Sequence, residues 1–503
     1  MLLLWLILIP FIGGLLCWAT ERLGSEVPRV IALLTTFCVL VVSLILFWDG
    51  DYQLKAVSLH PQWTHEWTAA WIPRFDITFS LAVDGLSLLM VALTGFLGVF
   101  AVLCSWREIK TRVGFFHLNL MWIIGAVYGV FLATDLFLFF AFWEVMLVPM
   151  YFLIALWGHS NANKTRIQAA TKFFIYTQAS GLLMLLAILG LVYVHYQAQH
   201  TLTFSYGKLL DTPMSDATSM ILMLGFFIAF AVKLPVVPLH GWLPDAHGQA
   251  PTAGSVDLAG ILIKTAAYGL LRFALPLFPE ASAQFASVAM VLGLISIYYG
   301  AIIAYSQTDI KRLVACSSIS HMGFVLIGIY SGSHLALQGV VVMMVAHAFS
   351  AAGLFIVCGQ LFERTDTRDM RKMGGLFGRI GAMPGFSLAL VMASCGVPGT
   401  GNFVGEFMIL FGSFSSAPWT VAIACGGVLF SAVYSLVIMQ RVYFGTPAND
   451  APLEKLTFRE GAMLSLLIVL LIATGIFPHL VMDISAQSMT EVARWFSHLP
   501  LRS

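Results

Sequence analysis

The segment Leu136-Phe-Leu-Phe-Phe-Ala-Phe-Trp-Glu-Val-Met-Leu-Val-Pro-Met-Tyr-Phe-Leu-Ile-Ala-Leu-Trp157 holds a single charged residue, Glu144, near its middle. A bilayer-spanning helix needs about 20 mostly apolar residues, and this run supplies them. Runs of the same kind recur along the chain, about fourteen by this criterion. They begin with Leu2 to Trp18 and end with Ala462 to Pro478, and include Phe79 to Leu103, Ala217 to Pro238, Gly254 to Ala274 and Gly381 to Phe411. The expected fold class is therefore an all-α polytopic membrane protein, with residues 1–503 forming one transmembrane domain.

Composition agrees. Of 503 residues, 59% are hydrophobic and 10% charged, whereas a soluble domain carries about 25% charged residues. That deficit leaves too little polar surface for a water-soluble globule and makes the lipid bilayer the solvent. The net charge of +1 gives no electrostatic reason to expect nucleic acid as a partner. Seven cysteines are scattered without a C-x-x-C pair and read as small buried hydrophobes rather than metal or cluster ligands. The N-terminus lacks a basic n-region and a small-residue cleavage motif before Glu21, so the first helix is expected to persist in the mature protein.

Basic residues sort onto alternate loops. One side collects Arg107, Lys110, Arg112, Lys164, Arg166, Lys172, Lys311, Arg312, Arg371, Lys372 and others, while the opposite side holds only Lys55, Arg74, Lys208, Arg272, Arg494 and Arg502. Cytoplasmic loops are enriched in Lys and Arg, so the first side is expected to be cytoplasmic, with both termini opposite. The long outer loop from Asp49 to Thr78, rich in Trp and His, suits an interfacial segment. Residues 483–499 read as an amphipathic interfacial helix.

Few ionisable groups lie deep in apolar runs, and each is a functional candidate because burying it there is costly. The principal four are Glu144, Lys233, Lys264 and Glu406. A structural ion pair between helices is the plainer use of any one of them. Four together point to a proton relay, because a low dielectric disfavours the charged form of both Lys and Glu and so brings their proton exchange toward neutral pH. His321 and His347 lie mid-run and His240 lies in an interrupted segment. Each is either a hydrogen-bonding bridge between helices or a relay member, since imidazole exchanges protons near neutral pH.

Two of the four adjoin helix breaks. Lys233 opens Lys-Leu-Pro-Val-Val-Pro-Leu-His-Gly-Trp-Leu-Pro, with Pro235, Pro238 and Pro244; Glu406 follows Cys-Gly-Val-Pro-Gly-Thr-Gly-Asn-Phe-Val-Gly. Proline removes a backbone donor, and glycine weakens a helix. Irregular backbone at membrane depth persists only where protein or a wet cavity satisfies it. Interrupted helices in corresponding halves point to an inverted-repeat transporter with its sites near the midplane. By contrast, Gly399-Thr-Gly-Asn-Phe-Val-Gly405 fits no dinucleotide fingerprint, and no Walker A loop, haem motif or metal cluster is present. The chain shows no means of handling an electron or hydrolysing ATP.

Phe142-Trp-Glu-x-x-x-x-Pro149, the segment from Lys233 to His247 (Lys-Leu-Pro-x-x-Pro-x-His-x-Trp-Leu-Pro-Asp-Ala-His), and Lys264 resemble the central motifs of the antiporter-like subunits shared by respiratory complex I and multisubunit sodium/proton antiporters. The likeness covers essentially the whole chain. It implies two inverted five-helix repeats, residues 113–275 and 284–443, each with one broken helix. It further implies a hydrophilic axis carrying Glu144, Lys233, Lys264, His321, His347 and Glu406. Glu rather than Lys at position 406, and the lack of a long lateral C-terminal helix, resemble one subunit type of the bacterial enzyme.

The resemblance implies proton translocation in an NADH:quinone oxidoreductase of the bacterial inner membrane, with both termini periplasmic. It implies no cofactor in this chain; NADH, FMN, iron-sulfur clusters and quinone would belong to partner subunits. Other complex I membrane subunits would be its partners, with two related antiporter-like subunits on either side. The competing reading is a subunit of a multisubunit cation/proton antiporter. A Glu144–Lys233 ion pair that closes and opens is the expected switch, passing protons on through Lys264 and the histidines toward Glu406.

Overall fold

The computed structural model describes residues 1–50, 61–159, 165–446 and 452–497. Lys55, Lys164, Arg502 and positions 498–499 of the expected tail helix lie outside the described residues. Among the described residues, thirteen helices are long and apolar enough to cross a membrane. The remaining expected run, Gly381 to Phe411, is split into the short helices Met383–Ser394 and Gly401–Ser413. The chain is a membrane-embedded, multi-pass helical protein.

Its enclosed centre is built from Thr252–Leu277, Ile310–Tyr330 and His334–Thr365, whose apolar windows are wholly buried. Leu2–Ala19, Glu26–Trp48 and Phe458–Ile476 are largely exposed. Helices that present most of their apolar surface outward, with polar groups turned inward, are what lipid as solvent selects. Cys38 and Cys425 lie on such outward faces, contrary to the expectation that the cysteines are buried.

A second correction concerns the outer loop and the run that follows it. His65–Ile72 and Ile77–Val83 form an antiparallel hairpin with His65 opposite Val83, and Asp76 takes a left-handed conformation at its turn. The helix expected to begin at Phe79 begins instead at Gly85. Thr78-Phe-Ser-Leu alternates polar and apolar side chains, the two-residue period of a strand. Asp84 then caps the helix: its Oδ1 accepts from Ser87 N at 3.0 Å, and its own N–H donates to Ser87 Oγ at 2.9 Å. The expected C-terminal amphipathic helix spans His479–Ser497 and packs on Gly85–Ser105 and His334–Thr365. Ser488 Oγ donates to Asp84 Oδ2 at 2.7 Å, and Arg272 donates to the same carboxylate. Burial pushes the Asp84 carboxyl up, but the adjacent Arg272 outweighs it and holds the group below its usual range.

Candidate functional site

The first half of the site grows from two interruptions. Pro149 lacks the N–H that would bond to the carbonyl of residue 145, and the fifth span accordingly divides into Leu136–Val145 and Leu147–Trp157. Glu144 sits one residue from that end. Its carboxylate lies against the bare Cα of Gly181 in the helix Arg166–Gln199, where a Cβ would collide with it, and Gln178 stands beside it.

Lys233 is the last residue of the helix Asp216–Lys233. The chain then turns before Leu243–Gln249 resumes. The freed backbone is satisfied locally. Leu234 N donates to Phe230 O at 2.7 Å, Val236 N to Ala231 O at 2.9 Å and Val237 N to Ser296 Oγ at 3.0 Å, while Trp242 Nε1 donates to Val232 O at 2.8 Å. Asp245, in the resumed helix, binds Lys172 at 2.8 Å and Arg312 at 2.7 Å.

Glu144 and Lys233 do not form the contact pair that the switch requires in its closed form: no ion pair within 4 Å joins them. Lys233, 1% exposed, has no hydrogen-bond partner for its Nζ. The ammonium instead rests over the face of Trp143, 4.2 Å from the ring centroid. Trp143 was missed by sequence reasoning because a tryptophan in an apolar run reads as core. Its place beside Glu144 was the available signal.

The second half is continuous. Lys264 is fully buried on Ile263–Gly269, a stretch of helix flanked by wide π-type turns at Leu258–Leu262 and Leu270–Ala274. Its Nζ donates to Ala259 O and lies 2.8 Å from His347 Nδ1. The His347 and His321 rings stand 5.4 Å apart, and His321 Nδ1 meets Glu406 Oε1 at 2.9 Å. Two groups not foreseen from sequence, Ser394 Oγ and Tyr434 OH, lie 3.3 and 3.2 Å from His321 Nε2.

Glu406 reaches this point because of the second break. After Ser394 the chain passes through Gly396 (φ +70°) and Gly399 (φ +95°) and re-enters helix at Gly401. Positive φ at these two positions is accessible to glycine at little cost. The structure thus brings together Lys264, His347, His321 and Glu406, and separately Glu144, Trp143 and Lys233. His240 joins neither group. It is half-exposed, and its ring stands edge-on to Tyr299 at 5.0 Å.

Chemically, the enclosed line alternates amine, imidazole, imidazole and carboxylate, each able to hold or release a proton, with hydroxyls at its side. Among the described residues no group of three His, Cys, Asp or Glu could hold a metal ion.

Comparison with known proteins matches residues 133–431 to the family described as NADH:quinone oxidoreductase/Mrp antiporter, transmembrane. The chain is 63% identical over 500 residues to NADH-quinone oxidoreductase subunit M of Escherichia coli (strain K12), covering 99% of this chain and 98% of that one. Among solved structures it resembles a chain of respiratory complex I from Thermus thermophilus with bound NADH, at TM-score 0.87 and 28% identity over 99% of this chain and 100% of that one. A chain of the Mrp complex from Dietzia sp. DQ12-45-1b shares the fold at TM-score 0.83 and 18% identity, covering 98% of this chain and 97% of that one. This chain belongs to the NADH:quinone oxidoreductase/Mrp antiporter transmembrane family.

Proposed function

We propose that the chain is the M-type antiporter-like membrane subunit of an NADH:quinone oxidoreductase and carries protons across the bacterial inner membrane. The observation that carries this reading is the line Lys264, His347, His321 and Glu406, four buried side chains held next to one another. The named relative and the complex I fold support it. Redox energy arrives from partner subunits that hold NADH, FMN, iron-sulfur clusters and quinone, and two related antiporter-like subunits flank this one. The basic loops face the cytoplasm, both termini are periplasmic, and residues 113–275 and 284–443 form two inverted repeats around the site.

In this account Glu144 and Lys233 form the switch, and an open form with the Lys233 ammonium over Trp143 is supported by that contact. When the pair closes, two unit charges at 4 Å in an effective dielectric of 20 attract by about 4 kcal/mol. Moving one charge against 100 mV takes about 2.3 kcal/mol. The two scales match, so opening and closing one pair can drive one proton. Lys233, once separated, passes its proton toward Lys264, from which the histidines lead to Glu406.

The test is Glu144→Gln in inverted membrane vesicles, following NADH:quinone electron transfer and proton uptake together with assembly of the complex. Loss of both activities in an assembled complex is expected; retention of both would reduce Glu144 to a structural charge. The shared fold with the Mrp complex favours one second reading, a cation/proton antiporter subunit that works without NADH or quinone. Co-purification with iron-sulfur subunits separates the two.

A further inference from the structure

Buried carboxylates in this protein are, as a rule, anchored. Asp84 is held by Arg272 and Ser488, Asp245 by Lys172 and Arg312, and Glu460 by Arg364 at 2.7 Å. Asp257 breaks the rule. It is fully buried, yet neither carboxylate oxygen has a hydrogen-bond partner. A buried carboxylate left bare costs several kcal/mol, so such a group is kept protonated or hydrated.

Its surroundings point to a route rather than a packing defect. The helix Thr252–Leu277 runs in the seam between Gly85–Ser105 and His334–Thr365. At one end Thr252 N donates to Glu108 at 3.1 Å, and the Cα of Gly359 abuts the Thr252 side chain. Further along, the Cα of Gly260 abuts Leu97. Asp257 lies between these contacts. At Thr252 the seam opens into a crevice lined by Cys104, Gly359, Gln360, Glu363 and Glu460, at the end of the bundle that carries the basic loops.

Like the two carboxylate oxygens of Asp257, the buried side-chain oxygen and nitrogen of Gln360 have no partner. Buried polar atoms without a protein partner are the setting in which ordered water is held. At 1.5 Å per residue, Asp257 stands about 7 Å above Thr252 and about 10 Å below Lys264, distances that two or three waters bridge. The wide turns at Leu258–Leu262 lie along the second of these gaps.

Resting on the function proposed above, we propose that Asp257 is a proton carrier that links the crevice at Gln360 to Lys264. Its carboxylic acid gives a proton through water to the neutral Lys264 amine, leaving carboxylate and ammonium. The carboxylate is then reprotonated by water entering the crevice, so the exchange is balanced and needs no oxidant or reductant.

The experiment uses the assembled complex in inverted vesicles with Asp257→Asn, Asp257→Glu and Lys264→Ala side by side. Asparagine has the size and neutrality of the protonated acid, so a structural role predicts normal activity. The carrier role predicts that electron transfer and proton uptake both fall by about a hundredfold, the low end for loss of a proton-transfer group, with Asp257→Glu retaining most of both. Normal pumping in Asp257→Asn beside a dead Lys264→Ala overturns the Asp257 route alone. Normal pumping in both overturns the proton-carrying reading itself.

Should Asp257→Asn fail to assemble, the wild-type complex is treated with a hydrophobic carbodiimide, which attacks protonated buried carboxyls. Modification at Asp257, read by peptide mass and rising in step with loss of proton uptake, supports the proposal. Inhibition without modification there overturns it.

Discussion

Replacing Trp143 with leucine removes the aromatic face on which Lys233 rests in the open arrangement. With the ammonium 4.2 Å from the ring centroid and 1% exposed, the contact falls in the desolvated class of cation–π interactions, worth about 2 kcal/mol. No hydrogen bond to Nζ stands in for it. Its loss tilts the equilibrium toward the closed Glu144–Lys233 pair by about thirtyfold, at 1.4 kcal/mol per factor of ten. A switch held closed passes few protons, and in a coupled enzyme electron transfer slows with it. The assay is proton uptake and NADH:quinone turnover per assembled complex in inverted vesicles. Trp143→Leu is expected to fall below about a tenth of wild type on that shift, with Trp143→Phe between. Phe139→Leu is the packing control, since the Phe139 ring lies tilted against Trp143 at 5.7 Å while the Lys233 ammonium rests over Trp143 itself; it should pump normally. Unchanged proton uptake in an assembled Trp143→Leu complex would show that the open form needs no aromatic support and would rule out this role for Trp143.

Other variants test separate joints of the account. Gly181→Ala places a Cβ where the Glu144 carboxylate now lies; a shift of about 1 Å at a reacting group costs up to a hundredfold, so turnover should fall with assembly intact. Tyr434→Phe removes one hydroxyl from His321 and, at about 1 kcal/mol per hydrogen bond, should slow pumping only severalfold; complete loss would give Tyr434 a larger part than a side partner. Glu491, on the C-terminal helix, accepts from Gln487 Nε2 at 3.0 Å, with Asp84, Arg272 and the backbone of Gln62 also facing it. Burial, ahead of these neighbours, pushes its carboxyl from 4.5 up to about 7. The folded state therefore binds the proton more tightly than the unfolded one, and the stabilisation, at most about 3 kcal/mol, is full below pH 4.5 and lost as pH rises through 7. Hydrogen exchange across His479–Ser497 should accelerate over that window in wild type and lose the dependence in Glu491→Gln.

Most spans were legible because lipid leaves a signature that needs no periodicity, long apolar runs with few charges; the late start at Gly85 and the split of Gly381 to Phe411 are the exceptions. Both broken helices were legible for a related reason, since Pro235, Pro238, Gly396 and Gly399 cannot sit quietly inside a helix. The hairpin was not read because Phe79 to Val83 is as apolar as the helix it precedes. The informative residue was Asp84, whose side chain stops one element and starts the next. Within the expected line from Lys264 to Glu406, the order of the two histidines, His347 before His321, was hidden, because its contacts join residues 83 and 85 positions apart in the chain, a matter of tertiary packing. Asp257 sat in view at the head of the Lys264 segment, but only the absence of any partner distinguishes it.

The most direct test of proton carriage through this chain is the number of protons taken up per NADH oxidised in assembled Lys233→Ala complex in inverted vesicles, measured beside wild type. The account predicts that both uptake and coupled turnover are lost, since the residue that changes partners is gone. Lys233→Ala complex that oxidises NADH and pumps at the full wild-type ratio would contradict it.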